Sequence, residues 1–372
     1  MKYTIAVIPG DGIGPEVTNQ AKKALDAVAE IYDHVFLYKE AQIGACAIEA
    51  TGNPLPEETI KICKKADAIL YGAIGDPKYS DPSLRIRPEQ GLLNLRQELD
   101  LFCNINPVRA YDQLIKNSPL RREIIKGTDI VIFRELTGGI YYGKKEISKD
   151  GLSAFDVCSY NVAQISRITH LAFKAAQGRR NKVTLIDKSN VLETSRLWRK
   201  TVTEISKEYK NVELEHLYAD NAAMKLILNP KNFDVILTEN FIGDIISDEA
   251  SVISGSIGLL ASSSIGNENA LFAPVHGTFP EAKGKDIANP LASILSAALM
   301  LDHLGLHEEA NAIERAVEKS LDLNITTVDI KGKNKYAAPT SKVGDFIADY
   351  ILNQQDSNLN FRNIHAGQST II

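Results

Sequence analysis

The chain has 372 residues, 44% of them hydrophobic, which is enough apolar material for a large core and for two domains. A net charge of −5 gives no global basic field, so neither a nucleic acid nor an acidic membrane surface is expected as a partner. Cys46, Cys63, Cys103 and Cys158 are scattered without a CxxC spacing, which argues against a disulfide framework or a zinc site and suits a reducing compartment.

Tyr3–Ile8 reads as a strand, Pro9–Gly14 as a glycine-rich turn and Pro15–Tyr32 as a helix. The apolar run before Pro9 is too short for a signal peptide. In the helix, Val17, Ala21, Ala24, Leu25 and Val28 form the stripe, and Pro15 suits its first position. The glycines at 10, 12 and 14 do not spell GxGxxG, so a tight strand-to-helix turn explains them better than a dinucleotide fingerprint. Further strands are expected at Ala68–Tyr71, Ile130–Phe133, Val183–Ile186 and Phe233–Leu237, with helices between them at Ala163–Ala176 and Glu193–Glu208. This alternation predicts an α/β architecture with a largely parallel sheet. Asn289 and Pro290 open an apolar helix that Gly305 closes near His303; its stretch from Leu291 to Leu301 spans about half a bilayer and is expected to be buried on all sides. The tail from Asn353 to Ile372 reads as a surface extension, and the whole as a cytoplasmic protein.

Chemistry concentrates just past these strands, the rim where α/β proteins bind ligands. Arg96 lies in an otherwise amphipathic stretch. Arg134, the pair Gly138-Gly139 and Tyr141 follow the Ile130–Phe133 strand, and Lys188 follows Val183–Ile186. A lysine there acts as a base if burial or charge depresses its pKa, although Asp187 beside it could equally form an ordinary ion pair. Asp220 adds a carboxylate, and Asp244 and Asp248 stack one turn apart on a predicted helix. Such a pair repels itself, so a cation is expected nearby; Mg²⁺ typically takes one or two carboxylates plus waters and substrate oxygens. His276 and Asn289 are polar handles in a loop rich in glycine and proline. Each has an ordinary structural reading when taken singly. Together they suit a divalent ion, a polyanionic small substrate and two proton-transfer groups.

The motifs IPGDGIGPE, RPEQGLLNLR, RELTGGIYYG, DKSNVLETSRLWRK, TENFIGDIISDEAS and HGTFPEAKGKDIANP closely resemble, in order and wording, those of the isocitrate/isopropylmalate β-decarboxylating dehydrogenases, from the start to about Leu352. The resemblance implies a two-domain α/β fold that is not Rossmann. A discontinuous cofactor-binding domain (1–101 plus 255–372) would surround an inserted domain (102–254) that dimerises, with a cleft between them. It implies an NAD-dependent oxidative decarboxylation of (2R,3S)-3-isopropylmalate in leucine biosynthesis. A sister enzyme for tartrate or D-malate, or a binding or regulatory subunit with decayed catalysis, stands as the alternative. It further implies a homodimer with shared active sites. Asp244 and Asp248 of one chain and Asp220 of the other would hold Mg²⁺ or Mn²⁺, with Asp220 also beside the substrate. Arg96 and Arg134 would hold the malate carboxylates, Tyr141 would be the acid and Lys188, from the same chain as Asp220, the base. Glu89, Leu92, Leu93 and Val191 would form the pocket for the isopropyl group. His276, Gly277 and Asn289 would line the adenosine end of the cofactor. Glu281 would accept its ribose hydroxyls, and that carboxylate would repel a 2′-phosphate, so NAD is expected over NADP.

Three positions depart from the family pattern. Asn106 stands where a third arginine is expected to hold a malate carboxylate, a loss worth about 1.5–3 kcal/mol. If its segment is extended, Arg109, three residues on, faces the other way. Ala273 replaces a glutamate near the nicotinamide end, and Phe279 replaces a small residue in the cofactor loop.

Overall fold

The computed structural model describes residues 1–81, 84–331 and 336–353; the tail extension expected from the sequence lies outside them. The chain opens with β1 (Lys2–Gly10), α1 (Gly14–Tyr32), β2 (Val35–Glu40), α2 (Ala45–Thr51), α3 (Glu57–Lys65), β3 (Ala68–Ala73) and α4 (Pro88–Glu98). There follow β4 (Cys103–Arg109), α5 (Arg122–Ile125), β5 (Asp129–Glu135), β6 (Lys145–Ile147), β7 (Ala154–Asp156), α6 (Val162–Gln177), β8 (Lys182–Asp187) and α7 (Glu193–Ser206). Next are β9 (Glu213–Tyr218), α8 (Ala219–Leu228), β10 (Val235–Thr238) and α9 (Asn240–Ser254). The chain then runs through β11 (Ala261–Ile265), β12 (Ala270–Pro274), α10 (Leu291–His303), α11 (His307–Asp322) and α12 (Thr340–Leu352). Among the described residues two compact units result, one from residues 1–100 together with those between 255 and 353, the other from residues 101–254.

The first unit carries strands in the order β2-β1-β3-β12-β11, parallel except for the β11–β12 pair. The stripe read from the sequence of α1 is wholly buried at Val17, Ala21, Ala24, Leu25 and Val28. Each such side chain is worth roughly 1.5–3 kcal/mol when it is as large as Val or Leu. The apolar helix expected after Asn289-Pro290 is α10, and almost every residue of it is buried, as its composition requires. Asn289 caps it by accepting from the Leu291 amide at 3.0 Å.

The second unit runs β4-β5-β10-β8-β9, with β4 antiparallel to β5 and the other pairs parallel. Helices α6 and α7 pack together against β5, β8 and β10, whereas α9 packs on β4 and β5 with α8 beside it. Phe133, Phe173, Phe233 and Trp198 are the largest side chains fully buried in this core. β6 and β7 pair as a separate antiparallel hairpin. β4 is extended, so Asn106 and Arg109 face opposite sides of it: Asn106 is buried and Arg109 exposed.

Candidate active site

The rim of the second unit is built on the register of β5 against β10, which sets Arg134 opposite Thr238, two residues before α9 begins. Arg134 is thereby brought to the first turns of α9. Its Nε donates to Asn240 Oδ1 at 3.0 Å, and its Nη1 donates to Asp244 Oδ1. Tyr141 donates its hydroxyl to the other oxygen of the same carboxylate, Asp244 Oδ2, at 2.7 Å. Burial first, and then the hydrogen bond to Asp244, push the Tyr141 phenol up to about 12. It therefore keeps its proton through the neutral range. Asp248 is also shifted upward, by burial and then by the charge of Asp244, with Arg134 acting against both. The charge of Asp244 thus acts on Asp248 in the direction the spacing implies, and Arg134 offsets part of it.

Close approach of helix and strand depends on Gly243. A Cβ there would lie 2.8 Å from Arg134 Cγ and 2.8 Å from Thr238 Cγ2. Gly243→Ala should cost about 1–3 kcal/mol of overpacking, seen as a lower melting temperature. An unchanged melting curve would mean that α9 can slide without consequence.

The turn that aims Tyr141 is anchored by two residues the sequence reading did not single out. Glu135, fully buried at the end of β5, accepts from the Thr137 and Gly138 amides at 3.0 and 2.7 Å and from Thr137 Oγ1 at 2.5 Å. Burial raises its pKa, and these hydrogen bonds offset only part of that rise. Its signal was present in RELTGG, since the residue after Arg134 must point to the opposite face of the strand. The second is Tyr160, for which no local pattern exists.

Lys188 leaves the end of β8, and its Nζ meets Asp220 Oδ1 at 3.0 Å. This contact holds the Asp220 carboxyl below its usual range. The neighbouring Asp187 does not pair with Lys188, as the sequence also allowed, but accepts from Arg199 at 2.8 and 2.9 Å. The Lys188 amide is fixed by Ser195 Oγ at 3.1 Å, and Val191 is exposed. Asn106 donates to Asn104 Oδ1 at 2.8 Å on the strand face that also carries Arg134, because Asn104 pairs with Arg134 across the ladder.

In the first unit, helical spacing puts Glu89, Leu92, Leu93 and Arg96 on one side of α4, where the two leucines and the arginine are half-buried. The cofactor candidates lie on the loop after β12. His276 Nδ1 donates to the Gly277 carbonyl at 2.9 Å, leaving the buried Nε2 as an acceptor with no partner. Burial lowers its pKa, so the ring is neutral. No atom lies within 4 Å of where a Gly277 Cβ would be, and Glu281 is exposed. Asn289 is different, since besides capping α10 it donates to Asp329 Oδ2 at 3.0 Å. Its amide is committed to structure on both sides. Ala273 is buried in β12, and Phe279 is half-exposed at φ 38.

These features can be tested against the groups they were expected to hold. The oxygen donors of Asp244 and Asp248, one strained by the charge of the other, fit a hard divalent ion. Among the described residues, one chain gathers no set of three such ligands, Asp220 being engaged by Lys188 instead. The orphaned His276 nitrogen and the open space at Gly277 fit a ligand with hydrogen-bond donors.

A parallel α/β chain with an arginine, a shielded phenol and paired carboxylates at its strand ends is, as a class, an enzyme for small polyanionic substrates. The model of the family described as isocitrate/isopropylmalate dehydrogenase matches residues 4–347. This chain belongs to that family and is an oxidoreductase. It is 51% identical to the 3-isopropylmalate dehydrogenase of Wolinella succinogenes over 94% of this chain and 98% of that protein. It is 48% identical to the 3-isopropylmalate dehydrogenase of Aquifex aeolicus over 96% of this chain and 99% of that one. Among solved structures, the isocitrate dehydrogenase of Methylococcus capsulatus superposes with a TM-score of 0.84 at 31% identity, covering 94% of this chain and 99% of that chain. No helix among the described residues is long and apolar enough to cross a membrane.

Proposed function

We propose that the chain oxidatively decarboxylates (2R,3S)-3-isopropylmalate to 4-methyl-2-oxopentanoate and CO₂, with reduction of NAD⁺, as a cytoplasmic step of leucine biosynthesis. The observation that carries this reading is the convergence of Arg134, Tyr141 and Asp244 on one rim, with the phenol held protonated.

Arg134 and Arg96 would each take a carboxylate of the malate moiety. Asp244 and Asp248, with Asp220 of a second copy, would hold Mg²⁺ or Mn²⁺, which when bound polarises the substrate's hydroxyl and keto oxygens. NAD, which the loop of His276, Gly277 and Glu281 would hold, would supply the hydride acceptor. Lys188 of the second copy, starting neutral, would accept the proton of the 2-hydroxyl, and Tyr141 would deliver its proton to the enolate left by CO₂ loss. Leu92, Leu93 and Val191, with Glu89 at their edge, would enclose the isopropyl group. A carboxylate in that position would be desolvated without a partner.

Sharing of the site between two copies is supported by apolar side chains that the second unit leaves exposed. Met224 and Leu228 on α8 and Phe241 and Ile245 on α9 are 45–65% exposed. A cluster of that kind normally marks an association surface. The test is NADH formation from 3-isopropylmalate, NAD⁺ and Mg²⁺, with D-malate, tartrate and isocitrate in parallel. Turnover confined to D-malate or tartrate would replace this reading with the sister dehydrogenase.

A further inference from the structure

Tyr160 lies outside every motif that carried the functional reading, yet it touches both halves of the second unit's rim. Its hydroxyl donates to Glu239 Oε2 at 3.0 Å and accepts the Asn240 amide at 3.0 Å. The polarity is forced, because a carboxylate can only accept and an amide N–H can only donate. Glu239 in turn caps α9 by accepting from the Phe241 and Ile242 amides at 3.1 and 2.8 Å. Asn240 uses its side chain in two directions: Oδ1 receives Arg134 Nε at 3.0 Å, and Nδ2 donates to the Gly138 carbonyl at 3.3 Å. The Tyr160 ring also forms the floor under Gly138-Gly139. A Cβ at 138 would fall 2.5 Å from Tyr160 Cε1, and one at 139 would fall 2.3 Å from the hydroxyl. Behind it, the ring meets Trp198 edge-on at 5.4 Å.

We propose that Tyr160 is a positioning residue: its hydroxyl locks Asn240, and through Asn240 the Arg134 guanidinium, to the Gly138-Gly139 turn that aims Tyr141. This rests on the function proposed above for Arg134 and Tyr141. A tyrosine that merely filled the core would do so through its ring, which phenylalanine preserves. The hydroxyl contributes something else, because without it the Asn240 amide is a buried donor with no acceptor. The start of α9 is then free to shift, and misplacement by about 1 Å is enough to cost roughly a hundredfold in rate.

Two measurements on full-length Tyr160→Phe separate this proposal from the functional reading. Without substrate, amide hydrogen exchange should accelerate about fivefold or more in segments 134–142 and 238–246 and stay unchanged across α7. In turnover, kcat/KM for 3-isopropylmalate should fall about tenfold or more, with KM for NAD⁺ within about twofold of the parent. If Tyr160→Phe does not fold, Glu239→Gln should accelerate exchange in 134–142 as well as in 238–246; acceleration confined to 238–246, which Glu239 itself caps, would overturn the proposal. Unchanged exchange in both segments overturns the proposal, as does a KM for NAD⁺ that rises as much as the KM for 3-isopropylmalate. If the parent itself does not act on 3-isopropylmalate while the exchange pattern appears, the functional reading fails and the positioning role stands.

Discussion

Tyr141→Phe should lower kcat for 3-isopropylmalate by about a hundred- to ten-thousandfold while KM moves only a few-fold. The variant removes one hydroxyl and leaves the ring edge-on to Phe241 at 6.2 Å. What it loses is the donor to Asp244 Oδ2, and that contact lies partly open to solvent, so the cost in stability should be about 0.5–1.5 kcal/mol. A fall confined to kcat therefore reports chemistry and not folding. The sign of the pKa shift adds a second readout. With its phenol pushed up to about 12, Tyr141 stays protonated as the pH rises past the ordinary tyrosine value. That shift belongs to the metal-free site, so it is read there: without Mg²⁺, the phenolate absorbance that distinguishes the parent from Tyr141→Phe should not develop below about pH 10. Steady-state kinetics of both proteins decide the matter. A variant with parental kcat, or one whose loss appears only in KM, would remove Tyr141 from the acid's role.

The same residue shows what the sequence could and could not disclose. That Tyr141 follows a strand end was legible, because Ile130–Phe133 is apolar, β-branched and bounded by glycine. That it meets Asp244 was not, since that contact depends on the parallel register of β5 on β10, a pairing between residues 104 positions apart at Arg134 and Thr238. The helical spacing of Asp244 and Asp248 correctly called for a cation, and Arg134 supplies one before any ion is considered. Tyr160 gave no signal because SYNVAQ reads locally as a helix start, and Asn161 indeed caps α6 by accepting from Gln164 at 3.0 Å. β11 escaped notice for a related reason. ASSSI is short of the large apolar residues that mark a buried strand, yet all five residues are buried, with Ser262 donating to the Ala273 carbonyl at 3.0 Å. The antiparallel pairs β4–β5 and β11–β12 qualify the largely parallel sheet that alternation suggested. Asn289 was legible as a helix start, and its hydrogen bonds with the Leu291 amide and Asp329 serve that part.

Asn106→Arg should raise kcat/KM for 3-isopropylmalate about ten- to a hundredfold, at a modest cost in melting temperature. Asn106 and Asn104 lie two apart on β4, so both face the side that carries Arg134. An arginine at 106 would add a second guanidinium on that face, where a dianionic malate moiety needs charge. Arg109 cannot serve in its place, being on the opposite face with its guanidinium 5.5 Å from the Tyr111 ring centroid. The cost arises because Asn106 is only 5% exposed and donates to Asn104 at 2.8 Å. Substitution breaks that bond and brings a charge into a covered site, which is tolerable only when a carboxylate arrives to pair with it. The gain should therefore appear in the KM for 3-isopropylmalate and leave the KM for NAD⁺ unmoved. The variant's melting temperature should also rise more on adding substrate than the parent's does, since a ligand stabilises in proportion to its affinity. If Asn106→Arg instead loses activity along with stability, the Asn104–Asn106 pair is itself the device by which this chain holds its substrate face, and the missing arginine has been replaced rather than lost.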